Sequence, residues 1–356
     1  MDIENLAAQI RRNCAISDAQ FWGYYSLCGL LMRYRDLYRS EHGLKPWESI
    51  PGDAIAVWID ERERLWQRLE HEPLQPLTIG DESFDPFDVN GLNTRISGYG
   101  LVYGGGYGLY LKPVFFLGRL NACREHYDYR VFSVGRELCR DLSTSPAMLQ
   151  GRCIYVRTDM VRDLLWDKVQ QLCSRTYGGL LEPLLAQYGV TRDSGAPRTI
   201  TGALERMVTD AAETLMLHET GEAYEDGHGE EWRAVVTHGD DRTAEFYLRG
   251  IKDLAADTSV MGPLAAAVER QDARLLSFYM VFLDGVRREL FPEIRSAFQL
   301  FAETGDWARI EAARRTGYER ARQLTALVLA RWRAGQTTAG LRKEVQRYME
   351  KILALP

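Results

Sequence analysis

Apolar residues near the N-terminus recur at the three-to-four-residue spacing of an α-helix. A stripe containing Phe21, Tyr25 and Cys28 has a second apolar stripe beside it. Two adjacent stripes make a wide apolar face, so the pattern predicts a helix, capped by Asp18 and buried on most of its circumference. After a segment rich in proline and glycine, the pattern predicts another helix that starts near Asp53.

Further along the chain, the pattern changes to short runs of aromatic and β-branched residues. Runs at 99–117, 129–134 and 153–157 predict strands, and the glycines within the first run suit a turn between two of them. The connections between the first strands are too short for a crossover helix, so we expect a small antiparallel sheet. A helix is predicted to follow near 159–172.

The remainder of the chain has helical spacing throughout. Its helical segments are separated by glycine, proline or capping residues, and they lie near 200–226, 242–256, 263–290, 292–303, 306–334 and 338–353. The segment TRDSGAP at 191–197 has the composition of a linker. The sequence therefore predicts an α+β protein with a mixed helix and small-sheet domain at 1–192 and an all-helical bundle domain at 199–356.

Composition places the chain among ordinary globular proteins. It has 356 residues, of which 46% are hydrophobic and 26% are charged. At the N-terminus, acidic residues precede the arginines and no apolar run follows, which is the opposite of a secretory signal. The longest uncharged stretch, 96–111, is too short for a membrane-spanning helix. We therefore expect a soluble cytoplasmic protein with no membrane partner.

The six cysteines do not form a metal-binding or redox motif. No two of them have the C-x-x-C spacing, which excludes zinc ribbons and thioredoxin-like motifs. Without an export signal, we expect reduced thiols that pack as small apolar side chains.

Charge is unevenly distributed along the chain, although the overall net charge is only −6. Residues 203–245 contain twelve acidic and three basic residues, and residues 305–356 contain eleven basic and five acidic residues. This asymmetry predicts either that the two segments attract each other or that each contacts a separate partner.

The acidic segment contains the strongest candidate for chemistry. Apolar residues recur on one face of the predicted helix at Leu204, Val208, Ala211 and Leu215. The same spacing continues to His218 and then to Glu222. The inward face of this helix is thus predicted to end in an imidazole and a carboxylate, which are costly to bury without partners.

A divalent metal ion would satisfy both groups, because zinc, iron and manganese all bind imidazole nitrogen and carboxylate oxygen. Glu219 follows His218 as the general base does in H-E-x-x-H peptidases, although Glu222 stands where that motif has its second histidine. His238 is the predicted third ligand, and His228, Glu245 and Asp284 are further candidates for that position. The competing interpretation is a metal-free His218–Glu222 hydrogen bond beside a solvated acidic face.

Two other motifs have simpler explanations. The glycine-rich segment GYGLVYGGGYGLYLK suggests a nucleotide loop of the protein-kinase type with Lys112 on the next strand. No H-R-D or D-F-G follows, so a structural hairpin is favoured. The arginine-rich C-terminal helix could contact nucleic acid, but alternating glutamates favour a solvated, ion-paired face.

The segments FWGYYSLCGLLMRYRDLYRSEHGLKPWE at 21–48 and WIDERERLW at 58–66 resemble an uncharacterised bacterial protein family. The resemblance implies a bacterial origin, and it brings no assigned activity and no assigned site.

Three hypotheses follow for function. The first is a metal-dependent, hydrolase-like enzyme with His218, Glu222 and His238 as ligands and Glu219 as the base. The second is a non-catalytic interaction or scaffold protein that forms a homo-oligomer or contacts a protein partner through its charged segments. The third is a nucleic-acid-associated factor that uses the basic C-terminal helices.

Overall fold

The computed structural model of the chain describes residues 1–173, 181–191, 197–225, 229–237 and 241–353. The chain divides into two compact units. Unit 1 contains residues 1–170 and 194–208, and unit 2 contains residues 171–193 and 209–356. The predicted boundary between 192 and 199 lies largely outside the described residues, and it stays a prediction.

Unit 1 begins with three helices. They are α1 (Ile3–Phe21), α2 (Leu27–His42) and α3 (Gly52–Leu69). The predicted capping residue is wrong: Asp18 lies inside α1, is buried, and accepts the backbone N–H of Leu142 at 3.0 Å. The cap of α2 is Ser26, whose hydroxyl accepts the N–H of Gly29. A serine ahead of the first helical turn commonly satisfies an otherwise free N–H in this way.

A two-stranded hairpin and a curled five-stranded sheet follow, joined by one short helix. The hairpin consists of β1 (Leu77–Ile79) and β2 (Glu82–Phe84), and the helix is α4 (Val89–Ile96). The strands of the sheet are β3 (Leu101–Tyr107), β4 (Pro113–His126), β5 (Tyr129–Arg140), β6 (Ala147–Gln150) and β7 (Cys153–Arg157). Their order is β3-β4-β5-β7-β6. Helix α1 covers one face, where Leu6 and Ile10 pack with Phe115 and Leu117.

The sheet differs from the predicted antiparallel form at one pairing. Three of its four strand pairs are antiparallel, whereas β5 and β7 run parallel, with Arg130 opposite Cys153. All five residues of β7 are buried, so this strand takes an inner position with a neighbour on each side. The four-residue strand β6 lies at the edge and forms a tight hairpin with β7 around Gly151, whose φ is +58°. The sheet is therefore mixed.

From residue 158 onward, the described chain contains helices and no strand, which confirms the predicted α+β fold with a helical C-terminal region. The helices are α5 (Thr158–Cys173), α6 (Leu181–Gln187), α7 (Pro197–Glu225), α8 (Gly229–Thr237), α9 (Arg242–Thr258), α10 (Pro263–Arg270), α11 (Ala273–Phe282), α12 (Gly285–Leu290), α13 (Pro292–Thr304), α14 (Trp307–Arg333) and α15 (Thr338–Leu353).

The segment 263–290 was predicted as one helix and forms three, α10, α11 and α12. Gln271 has a φ of +49°, which ends α10, and the carboxylate of Asp272 then caps α11 by accepting the N–H of Leu275. Asp284 precedes α12, whose first residue, Gly285, also has a positive φ. None of the described helices is long and apolar enough to cross a bilayer.

Candidate functional site

Helices α7 and α9 approach each other closely in unit 2. A Cβ atom built on Gly221 would lie 2.2 Å from the backbone oxygen of Ala256, so only glycine fits at this contact. The neighbours of Gly221 along α7 include His218 and Glu222, and those of Ala256 along α9 include Asp253 and Asp257. The close approach therefore places an imidazole and three carboxylates side by side.

The imidazole of His218 is held by a carboxylate of α9. Its Nδ1 lies 2.7 Å from Oδ1 of Asp257, and the side chain of Asp257 is only 2% exposed. A carboxylate accepts hydrogen bonds, so Nδ1 carries a proton and Nε2 is left facing Oε1 of Glu222 at 3.8 Å. Burial lowers the pKa of His218, but the charge and hydrogen bond of Asp257, together with the charges of Asp253 and Glu219, outweigh burial and raise this pKa to about 10.

Two further carboxylates complete the cluster. A nitrogen of His218 and one carboxylate oxygen each from Glu222 and Asp253 all lie within 4.8 Å of one another. Oε2 of Glu222 accepts a hydrogen bond from Lys252 at 2.9 Å. Burial raises the pKa of Glu222, but the charge and hydrogen bond of Lys252, together with the charges of His218 and Arg249, lower it by more. Burial raises the pKa of Asp253 to about 6, against the opposing charge of His218.

A second cation lies on the other side of the cluster. Nη1 of Arg287, at the start of α12, is 3.5 Å from Oδ2 of Asp257, and its Nε is 4.0 Å from Oδ2 of Asp253. The guanidinium also donates to the backbone oxygen of Phe282. Together with Lys252, it offsets much of the charge of the carboxylates, as a buried ionic cluster requires.

Two buried polar groups adjoin the cluster. The side chain of Glu219 makes no hydrogen bond to another described residue, although Glu219 is only 8% exposed. Burial, followed by the charge of Glu222, raises its pKa to about 8. The hydroxyl of Tyr279 on α11 is buried with no hydrogen-bond partner among the described residues. Burial and then the charge of Asp257 raise the Tyr279 pKa. A buried hydroxyl without a partner, such as that of Tyr279, is uncommon unless a ligand or water completes it.

The structure brings together His218 and Glu222, with Glu219 beside them. The predicted third ligand, His238, lies outside the described residues, as does His228. Glu245 and Asp284 are not among the described residues whose ligand atoms come together, and Glu245 pairs with Arg249 at 2.8 Å.

Asp253 and Asp257 were missed by the sequence analysis. They are four residues apart and therefore share one face of α9, directly after Lys252. That spacing is visible in the sequence, but it does not show which part of the chain this face of α9 contacts. Only the contact at Gly221 shows which helix this face meets.

The acidic and basic segments of unit 2 contact each other. Arg333 on α14 pairs with Glu231 at 2.5 Å, and Arg342 on α15 pairs with Asp241 at 3.1 Å. These ion pairs support mutual attraction, one of the two explanations for the charge asymmetry. The other arginines of α14 that pair with described acids are Arg309 with Asp306, Arg314 and Arg315 with Glu311, Arg320 with Glu293, and Arg331 with Glu344. Little unpaired charge remains on this helix for nucleic acid.

Lys112, the lysine beside the glycine-rich segment, is buried in unit 1. Its Nζ lies 3.0 Å from Oδ1 of Asp18 and 2.9 Å from Oδ1 of Asp141. Both carboxylates also accept backbone N–H groups, and the lysine is only 3% exposed. Lys112 thus joins α1 to the sheet, which supports the structural interpretation of the hairpin.

The two domains of one protein family together match almost the whole chain. Residues 5–157 match the N-terminal domain, and residues 162–352 the C-terminal domain, of a family of unknown function (DUF6866). The predicted resemblance to an uncharacterised family is therefore confirmed. No curated protein and no solved structure matches the chain.

Proposed function

The chain belongs to the DUF6866 family of unknown function, and we propose that its C-terminal domain binds a divalent metal ion and acts as a metal-dependent hydrolase. The proposed ligands are Nε2 of His218 and one carboxylate oxygen each from Glu222 and Asp253. The proposed proton-transfer group is Glu219.

The orientation of the His218 ring carries this proposal. Metal-binding histidines usually donate their other N–H to a carboxylate, which fixes the tautomer and strengthens the donor nitrogen. Asp257 accepts the Nδ1 proton of His218 at 2.7 Å, so Nε2 is directed at the remaining carboxylates, and a bound ion would take the place of the Nε2 proton. A plain His–Glu hydrogen bond would bring Nε2 closer to Glu222 than the observed 3.8 Å.

The spacing of the ligand atoms suits an ion after a small contraction. Zinc lies about 2.1 Å from its nitrogen and oxygen ligands, so two ligand atoms of a tetrahedral site are about 3.4 Å apart. The three donor atoms lie within 4.8 Å of one another, and side-chain rotations that move the carboxylate oxygens by about 1 Å close the difference. One nitrogen and two oxygens suit manganese, iron and zinc.

A bound divalent ion would supply a water of lowered pKa and polarise a substrate oxygen. Glu219 is suited to transfer the proton, because its carboxyl is buried next to His218 and makes no hydrogen bond to another described residue. Arg287 and Lys252 keep the neighbouring carboxylates ionised and fixed in place. Tyr279 offers a buried hydroxyl that is available to a substrate oxygen.

A second candidate function is a non-catalytic interaction protein in which this cluster is purely structural. The observation that favours it is the contact of 2.9 Å between Lys252 and Glu222, which already provides one carboxylate oxygen with a cation. In that case, the cluster holds α7 against α9 without an ion. The metal content of the reconstituted protein decides between the two candidate functions.

Metal analysis tests the proposal directly. The protein is purified without chelator, reconstituted in turn with Zn²⁺, Mn²⁺ and Fe²⁺, desalted, and analysed by plasma mass spectrometry. We expect about one ion per chain, and at least a tenfold loss of affinity in His218→Ala and Asp253→Asn, in line with the loss of a ligand. Glu219→Gln should retain the ion and lose hydrolysis of chromogenic ester and phosphate substrates.

His71→Ala is the matched control, since His71 is exposed and distant in sequence from the cluster. This variant should bind the ion as the unmodified protein does. Absence of stoichiometric metal from the reconstituted protein, or equal metal content in His218→Ala, would overturn the proposal and leave the structural interpretation.

A further inference from the structure

Unit 1 contains a small polar pocket that has no part in the proposed metal site. It has a volume of about 110 Å³ and lies where the end of α2 meets β5 and the first turn of α5. Its charged lining consists of Arg39, Lys45, Arg136, Glu137, Asp159, Arg162 and Asp163. One water molecule occupies roughly 30 Å³ in the liquid, so the pocket admits a group of several non-hydrogen atoms.

The cations of this pocket are incompletely paired. Lys45 and Arg136 make no ion pair with any residue that the structure describes, and both are exposed at the pocket. Arg39 pairs only with Asp36, at 3.8 Å, and its Nε is buried without a hydrogen-bond acceptor among the described residues. Gly43 follows the end of α2, and a Cβ atom built on it would lie 3.4 Å from Nη2 of Arg136. Three positive side chains thus converge with unused donors.

The acids of the pocket are already neutralised within the fold. Both carboxylate oxygens of Glu137 accept hydrogen bonds from Arg157, at 2.5 and 2.9 Å. Asp159 pairs with Arg162. The third acid, Asp163, makes no ion pair with a described residue, and burial raises its pKa to about 7. At neutral pH, much of Asp163 is therefore protonated, and the pocket retains an excess of positive charge.

We propose that this pocket binds a phosphate group through Arg39, Lys45 and Arg136. A guanidinium binds a tetrahedral oxyanion through two parallel N–H groups, and a lysine adds a point charge, so this set of side chains suits phosphate. A bound oxyanion also provides the acceptor that Nε of Arg39 lacks. The protonated carboxyl of Asp163 can donate to a phosphate oxygen. The phosphate is either the free ion or the end of a larger molecule.

Calorimetric titration of the full-length protein with inorganic phosphate tests this site. The protein is first treated with chelator, so that a metal ion cannot bind phosphate instead, and the ionic strength is held constant. We expect saturable binding with one site. Arg136→Gln and Lys45→Gln should each weaken it about tenfold, which is about 1.4 kcal/mol. Both side chains are exposed and unpaired among the described residues, so these variants should fold normally.

The control is Arg119→Gln, which removes an exposed arginine of β4 outside the pocket. It should bind phosphate with unchanged affinity. A parallel titration with glycerol 3-phosphate distinguishes the sources: tighter binding than phosphate indicates a phosphate monoester, and equal or weaker binding indicates the free ion. Lack of saturable phosphate binding, or equal weakening in all three variants, would overturn the proposal. The metal analysis of His218→Ala is unaffected by either result.

Discussion

The close contact at Gly221 provides a sharp test of the packing that forms the cluster. A methyl group at this position would lie 2.2 Å from the backbone oxygen of Ala256, and Cβ contacts essentially never fall below 3.0 Å. Gly221→Ala therefore forces α7 and α9 apart by at least about 0.8 Å, because the atoms that the new methyl group meets belong to the backbone of Ala256 and not to a flexible side chain. Such overpacking costs typically 1–3 kcal/mol.

The intrinsic preference for alanine in a helix opposes this cost by about 1 kcal/mol. The expected net loss of stability is thus up to about 2 kcal/mol, seen as a decrease of up to about 8 °C in the thermal midpoint. In addition, separation of the helices lengthens the His218–Asp257 hydrogen bond. The pKa of His218, followed by NMR, should decrease from about 10 towards its ordinary value.

Gly202→Ala is the matched control, because it makes the same change in the same helix. A Cβ at Gly202 would meet only Nη1 of Arg206, at 3.9 Å, so this variant should gain about 0.5–1 kcal/mol. The two substitutions are therefore expected to change stability in opposite directions. If Gly221→Ala is as stable as Gly202→Ala, with the pKa of His218 unchanged, the inferred contact between α7 and α9 is refuted.

Two further predictions concern unit 1. Lys112→Met leaves Asp18 and Asp141 buried without their shared cation, so the free energy of unfolding, measured in urea at pH 7, should decrease by about 3–5 kcal/mol. The control, Lys45→Met, changes an exposed site and should alter stability by less than about 0.5 kcal/mol. Similar stability of the two variants would contradict this prediction. Asp163 has a pKa of about 7 in the folded protein, whereas the ordinary value is 3.8, so between these pH values the folded state binds a proton that the unfolded state has lost. The stability of the protein therefore decreases as the pH rises from about 4 to about 7. Asp163→Asn removes that loss and should be more stable than the unmodified protein at pH 8 by about 1–3 kcal/mol, with little difference at pH 4; a constant difference between these pH values would show that burial does not shift this carboxyl.

The local structure of this protein could be predicted well from its sequence. Helical spacing identified most helices of the C-terminal half, because a buried face must repeat every three to four residues wherever the helix packs. Aromatic and glycine-rich runs identified β3, β4, β5 and β7, but the short strands β1, β2 and β6 were not predicted. The same rules missed the start of α2: Asp18 and Ser26 are both capping residue types, and only the tertiary partner of Asp18, Lys112, decided between them.

The sequence determined which helix face would carry His218 and Glu222, because their positions continue the apolar stripe of α7. The fold alone decided what meets that face. Asp253 and Asp257 are about thirty to forty residues away in sequence, and a glycine that permits contact between two backbones brings them to the imidazole. The place of β7 between β5 and β6 was likewise decided by the fold, because a fully buried strand needs a neighbour on each side. The spacing of apolar residues shows which side of each segment faces the core. Which segments then pack against each other depends on contacts between residues far apart in the chain.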